Sequence, residues 1–172
     1  ILPLLDFVVG KTLPTGRVDR FYSAKLPVKG KDSTKAFVAL AGHYYRRTGD
    51  RQMITAIWPN IKAAINWIME YGDIDGDLFV EYARATDRGL VNQGWKDSHD
   101  AIFHADGTLA EGPIALSEVQ AYVYAAKHHA AELASALGDT RRGRRLHREA
   151  EQLHDAFERA FWCADLGTYA MA

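Results

Sequence analysis

The 172-residue chain is 48% hydrophobic and 25% charged, the balance of one soluble globular domain or of part of a larger one. Lys and Arg total 21 against 22 Asp and Glu, a net charge of −1, so no overall field draws the chain to nucleic acid or to an anionic membrane, and neither is expected as a partner. Its apolar runs fall short of the ~18 residues that span a bilayer, and a single cysteine, Cys163, makes neither an internal disulfide nor a cysteine zinc site, which points to the cytoplasm.

The opening ILPLLDFVVG lacks the basic start of a signal peptide, no Met precedes it, and no capping or tail pattern follows Thr168. Both ends read as cut from something longer. From Ile1 to Lys31, Pro3, Pro14 and Pro27 interrupt any helical period, which predicts irregular chain. Asp32, Ser33 and Thr34 then offer N-cap oxygens to a first helix with Phe37, Leu40, Ala41 and Tyr44 on one face. Thr48-Gly49-Asp50 ends it, and Asp50 can cap the next. That second helix carries Ile54, Ile57, Trp58, Ile61, Ile65 and Ile68, and Pro59 is expected to kink or split it. In a part-domain, Ile57, Ile61 and Ile65 are expected to lack partners and to drive self-association. Tyr71–Asp77 is a turn, Leu78–Tyr82 a short strand candidate, and 83–113 a long irregular loop.

A third helix is predicted from near Ile114, with Leu116, Val119, Val123, Ala126, Ala130, Leu133 and Leu137 in three- and four-residue steps. Gly138 stops it. Asp139 starts a fourth, whose stripe is Leu146, Ala150, Leu153, Phe157 and Phe161. Arg141, Arg142, Arg144, Arg145 and Arg148 line its outer face, which reads as solvated. Leu166–Ala170 is an edge-strand candidate. The fold class is therefore all-α, built of helical hairpins with minor β elements and carrying one elaborate loop.

No metal site is expected. Asp73, Asp75 and Asp77 look like a calcium loop, but counting from Asp73 the turn glycine falls at position 4 and position 12 is Arg84 rather than Glu. His147 and His154 stand seven residues apart on one helix face, and His99 and His104 lie in the loop without a zinc spacing. Nucleotide-binding and nucleophile-elbow motifs are absent, and no cofactor is predicted.

The informative stretch is GLVNQGWKDSHDAIFHADGTLAEGPIALSEVQAYVYAAK, residues 89–127. It concentrates Asn92, Gln93, Trp95, Lys96, Asp97, His99, Asp100, Glu118 and Gln120. Sugar sites need this mixture: aromatic faces stack on pyranose rings, amides and carboxylates bind hydroxyls, and a carboxyl pair does the acid–base work on the glycosidic bond.

Gly94-Trp95-Lys96-Asp97-Ser98 followed by ALSEVQAYVYAAK at 115–127 resembles bacterial amylo-alpha-1,6-glucosidase-like proteins, the glycogen-debranching-type glycosidases. The DGDLFVEYARATDRGLVNQGWKDS passage and the WCADLGTYAMA ending are similar too, and the resemblance runs from about Asp32 to the C-terminus. It implies a partial (α/α)6 toroid, with residues 1–172 forming part of one glycosidase-like catalytic domain truncated at both ends. It implies that Asp97 is the general acid of glycoside hydrolysis on an α-glucoside, inverting, with the general base outside this chain. Trp95, Lys96, Asn92, Gln93, Glu118 and Gln120 would bind or brace the sugar. Asp32 matches the carboxylate of a further family motif, although Lys31 and Lys35 stand where the family has an apolar residue and Pro. The partners implied are an oligosaccharide or glucoside substrate and the rest of the catalytic domain. Two non-catalytic readings compete: a carbohydrate-binding relative, and a helical-hairpin interaction module.

Overall fold

The computed structural model describes residues 31–84, 86, 89–96 and 98–172, with the side chains of residues 31–33 outside the description. The expectation for the chain before Lys31 lies outside the described residues. Four helices are present among the described residues: α1 (Lys31–Thr48), α2 (Arg51–Tyr71), α3 (Ser117–Ala136) and α4 (Thr140–Phe161). Two short strands follow, β1 (Trp162–Cys163) and β2 (Thr168–Tyr169), paired antiparallel with Trp162 opposite Tyr169. The architecture is all-α, as expected.

Each hairpin turn follows from a few residues. Gly49 takes φ 65°, and its N–H closes on the Tyr45 carbonyl at 2.8 Å. Asp50 then caps α2, accepting from the Met53 N–H at 2.9 Å and from the Tyr44 hydroxyl at 2.7 Å. At the α3–α4 turn, Gly138 takes φ 95°, its N–H bonds the Ser135 carbonyl, and the Asp139 N–H bonds the Ala134 carbonyl. This is the paired closure of a Schellman cap. Asp139 caps α4 by accepting from the Arg142 N–H at 3.1 Å.

Several boundaries differ from the sequence expectation. α1 begins at Lys31, so Asp32, Ser33 and Thr34 lie inside its first turn instead of ahead of it. α2 is not split at Pro59. Pro59 and Thr55, whose carbonyl loses its donor, both belong to exposed positions, where water can replace the missing bond. Ile57, Ile61 and Ile65 are buried, because α2 packs on both α1 and α3. The expected unpartnered face is not there. α3 begins at Ser117 rather than near Ile114. Leu78–Tyr82 is not a strand: Leu78 takes φ 85°, and Tyr82 alone bridges Ile114.

α3 is the central element. It packs most extensively against α4, then α1, and also touches α2, so residues on most of its circumference are buried. α4 is the opposite case. Leu146, Ala150, Leu153 and Phe161 form one buried stripe, and the arginines other than Arg142 are exposed. Arg145 pairs with Glu149 at 3.6 Å one turn on.

α1 and α3 run parallel. The Arg46 guanidinium grips the Glu132 carboxylate at 2.6 and 2.9 Å, and one turn earlier Gly42 lies against the His129 ring. Contacts that advance together along both helices require a common direction. Arg46 lies fourteen residues after Asp32, and Glu132 lies fourteen after Glu118. The helix starts at Asp32 and Glu118 are therefore level, at one end of the pair.

Candidate active site

The N-terminal end of α3 receives the long loop. One anchor of the loop is Glu118, in the first turn of α3, where an acidic side chain is favoured by the helix dipole. Glu118 Oε1 accepts the Trp95 backbone N–H at 2.7 Å. Gly94 makes this approach possible: a Cβ there would collide with the Leu116 side chain and lie 3.0 Å from Glu118 Oε1. The loop is thus pressed onto the helix start, and the Trp95 indole is left 85% exposed on top of it.

The other predicted residues divide by environment. Lys96 is exposed, with Nζ 3.7 Å from Met171 Sδ. Gln93 is half-buried and donates from Nε2 to the Ala83 carbonyl at 3.1 Å. Asn92 and Gln120 are buried and bonded inside the protein. Asn92 Oδ1 accepts from the Tyr82 hydroxyl at 2.9 Å, and Nδ2 donates to the Ser98 and His99 carbonyls at 2.5 and 3.2 Å. Gln120 Oε1 accepts from the Val80 N–H at 2.8 Å, while Nε2 donates to the Val80 and Leu116 carbonyls at 2.9 and 3.0 Å. The Gln120 amide thereby takes both backbone groups of Val80, which is why no neighbouring strand pairs there. Asp32 lies in the first turn of α1, level with Glu118, and its side chain is outside the description. Asp97 lies outside the described residues. Its two sequence neighbours, Lys96 and Ser98, are both exposed.

Tyr82 is a participant that the sequence reading passed over. Burial pushes its phenol pKa up to about 12, so it remains a hydrogen-bond donor at neutral pH. Its place in a strand-like run gave no signal of a polar role. Glu81 is a second omission. Its carboxylate converges with those of Asp73, Asp75 and Asp77, with oxygens within 4.8 Å of one another. These are hard oxygen donors of the kind divalent cations accept. They also organise the turn: Asp73 accepts from the Gly76 and Leu78 N–H groups, Asp77 from Phe79, and Glu81 from Ile74. The calcium-loop count could not find Glu81, because it sits at position 9 of a loop with a different turn.

A cavity of about 470 Å³ opens behind the loop, between Phe103, Glu111, Ile114, Cys163 and Met171. Trp95 and Glu118 do not line it. At the far end of α1 and α3, His43, His128, His129 and His147 gather with ring centroids 4.6 to 6.2 Å apart, a grouping that spacing along one helix did not reveal.

A loop tied to a helix start, with an exposed indole and a carboxylate at its rim, can bind a pyranose face and its hydroxyls. Residues 27–172 match the model of the bacterial alpha-L-rhamnosidase 6 hairpin glycosidase domain. The chain belongs to that family. No curated protein matches it. The six-hairpin glycosidase domain is an all-α toroid of helical hairpins, in agreement with the hairpins seen here, and a glycoside hydrolase domain takes a carbohydrate as its substrate. The glycosidase class and fold expected from the sequence hold. The family description names a rhamnosidase domain, where the sequence resemblance pointed to a debranching type. Among the described residues no helix is long and apolar enough to cross a membrane.

Proposed function

We propose that this six-hairpin glycosidase domain hydrolyses an α-glucoside in the manner of the glycogen-debranching-type glycosidases, with inversion at the anomeric carbon. The observation that carries the reading is Trp95: a tryptophan this exposed, on a backbone held by Glu118, is a sugar platform and not a core residue. Asp97, two residues on, protonates the departing glycosidic oxygen. A carboxylate outside this chain, contributed by the remainder of the ring, activates water from the opposite face at roughly 6.5–9.5 Å. Glu118 binds sugar hydroxyls through its second oxygen, while Asn92 and Gln120 brace the loop from beneath. A second reading, an α-L-rhamnoside substrate, is favoured by the family description.

The test is turnover by the intact enzyme on malto- and isomalto-oligosaccharides, α-glucosyl fluoride and aryl α-L-rhamnoside. Hydrolysis of the glucosides alone supports the first reading, and of the rhamnoside alone the second. Binding without turnover on any of them would leave a carbohydrate-binding protein. Asp97→Asn keeps the shape but removes the proton. General acid catalysis contributes roughly 10²–10⁴-fold, so the loss should fall on oligosaccharides and be much smaller on the activated fluoride or aryl glycoside. Equal losses on both, with a lowered melting temperature, would make Asp97 a loop-capping residue.

A further inference from the structure

Beneath the loop two buried polar side chains, Tyr82 and Asn92, are linked to each other and to the backbone of the exposed residues Ser98 and His99. Tyr82 is 3% exposed and Asn92 1%. Tyr82 is fixed by its backbone, which exchanges both hydrogen bonds with Ile114 at 2.9 and 3.0 Å. Two residues upstream, Val80 is fixed in the same way by the Gln120 amide of α3. The Tyr82 hydroxyl is therefore a donor held at a set point relative to α3. It orients Asn92, whose Nδ2 binds the carbonyls of Ser98 and His99, the two residues that follow Asp97. On the other side of Asp97, the Trp95 N–H is tied to Glu118 of the same helix. The loop is thus held on both sides of the position of Asp97: before it by α3, through Trp95 and Glu118, and after it by Tyr82, through Asn92.

A phenylalanine would fill the volume of Tyr82 without a hydroxyl to desolvate. A buried Asn is likewise costly unless all its groups are bonded. Packing alone does not call for either polar group here. We infer that Tyr82 and Asn92 are positioning residues for proton transfer: they hold the segment after Asp97 so that its carboxyl meets the glycosidic oxygen. The inference rests on the general-acid reading of Asp97 given above. Proton transfer needs hydrogen-bond reach of roughly 2.6–3.2 Å, and a displacement of about 1 Å costs on the order of 10²-fold. The pair thus acts through Asp97 and not on the sugar.

The experiment uses the intact enzyme, with its oligosaccharide substrate and the matching glycosyl fluoride or aryl glycoside. Tyr82→Phe is the mild variant. It should lower kcat on the oligosaccharide roughly 10-fold, leave KM within about twofold, and cost the activated substrate several times less. Asn92→Asp keeps an acceptor for the tyrosine but sets a carboxylate against two carbonyls, and its loss on the oligosaccharide should reach roughly 100-fold. Should Asn92→Asp fail to fold, Tyr82→Phe decides alone. In an Asp97→Asn background, Tyr82→Phe should add no further loss, since residues acting as a unit are not additive. Equal losses on both substrates, or full additivity in that background, would overturn the positioning role while leaving the acid in place. If Asp97→Asn itself shows no dependence on the leaving group, the acid reading falls and takes this inference with it.

Discussion

Trp95 and Gly94 show how two adjacent residues divide one task. The indole is 85% exposed, so removing it takes little from the core. Trp95→Ala should leave the melting temperature within about 1 °C. KM for an oligosaccharide should rise roughly 10-fold, the ratio that corresponds to about 1.4 kcal/mol of lost stacking. Initial rates beside a melting curve check both. An unchanged KM would remove the platform. Gly94 is buried and gives the reverse pattern. Gly94→Ala forces a methyl group into Leu116 and crowds Glu118 Oε1, an overpacking that costs about 1–3 kcal/mol. It should lower the melting temperature by several degrees and reduce kcat/KM, because the Trp95 N–H is pushed off Glu118. Glu118→Gln retains an oxygen for that N–H. It should lose activity by a similar factor on activated and unactivated substrates, as expected of a group that binds hydroxyls and moves no proton.

At the scale of elements, the α1–α3 pair sets the geometry of the site from its far end. Gly42 lets the His129 ring lie against the α1 backbone, and the Arg46–Glu132 pair fixes the register one turn later. Replacing an ordinary helical glycine by alanine gains about 1 kcal/mol of helix propensity. Here the added methyl would penetrate the imidazole, and overpacking at about 1–3 kcal/mol outweighs that gain. Gly42→Ala should therefore destabilise the protein, and the double variant Gly42→Ala/His129→Ala should recover part of the loss. Denaturant midpoints measure both. A stabilised Gly42→Ala protein would show that the two helices are free to separate, and with them the level placement of Asp32 and Glu118.

For the molecule as a whole, the same helix pair predicts how stability varies with pH. His129 is held below its usual 6.5, first by burial and then by Arg46 and His43. The folded state binds its proton less well than the unfolded chain does. Its contribution is full above about 6.5 and is lost as the pH falls through the window below that value. Glu132 is held below 4.5, chiefly by its hydrogen bond to Arg46, and its contribution disappears only at lower pH as it protonates. Acid should therefore weaken the fold in two stages, the first centred on histidine. In His129→Gln the melting temperature should be nearly flat from about pH 6.5 to pH 5, with the carboxylate stage retained. Melting curves across that range decide it, and an unchanged slope would remove His129 from the first stage.

The helices and their caps were legible because their causes are local. Asp50 and Asp139 cap the N–H groups three residues ahead, Gly138 ends α3 where φ turns positive, and the Leu146–Phe161 stripe repeats at helical spacing. The glycosidase class was legible too, because the loop concentrates the residue types that sugar chemistry needs together, and the family match agrees with that class. What lies between distant segments could not be read. Gln120 sits forty residues from Val80 and takes its backbone in place of a strand; Asn92 and Tyr82 pair ten residues apart beneath the surface. No period or spacing encodes such bonds, because a buried amide and a sugar-binding amide are the same residue until packing decides which side faces water. The burial of Ile57, Ile61 and Ile65 likewise depended on how α2 meets α1 and α3. Local chemistry, then, was set by the sequence alone: the caps at Asp50 and Asp139, the turn at Gly138, and which loop residues are candidates for binding a sugar. Only the tertiary structure decided which of them brace the loop from below and which stand at its rim, since that choice is made by long-range burial.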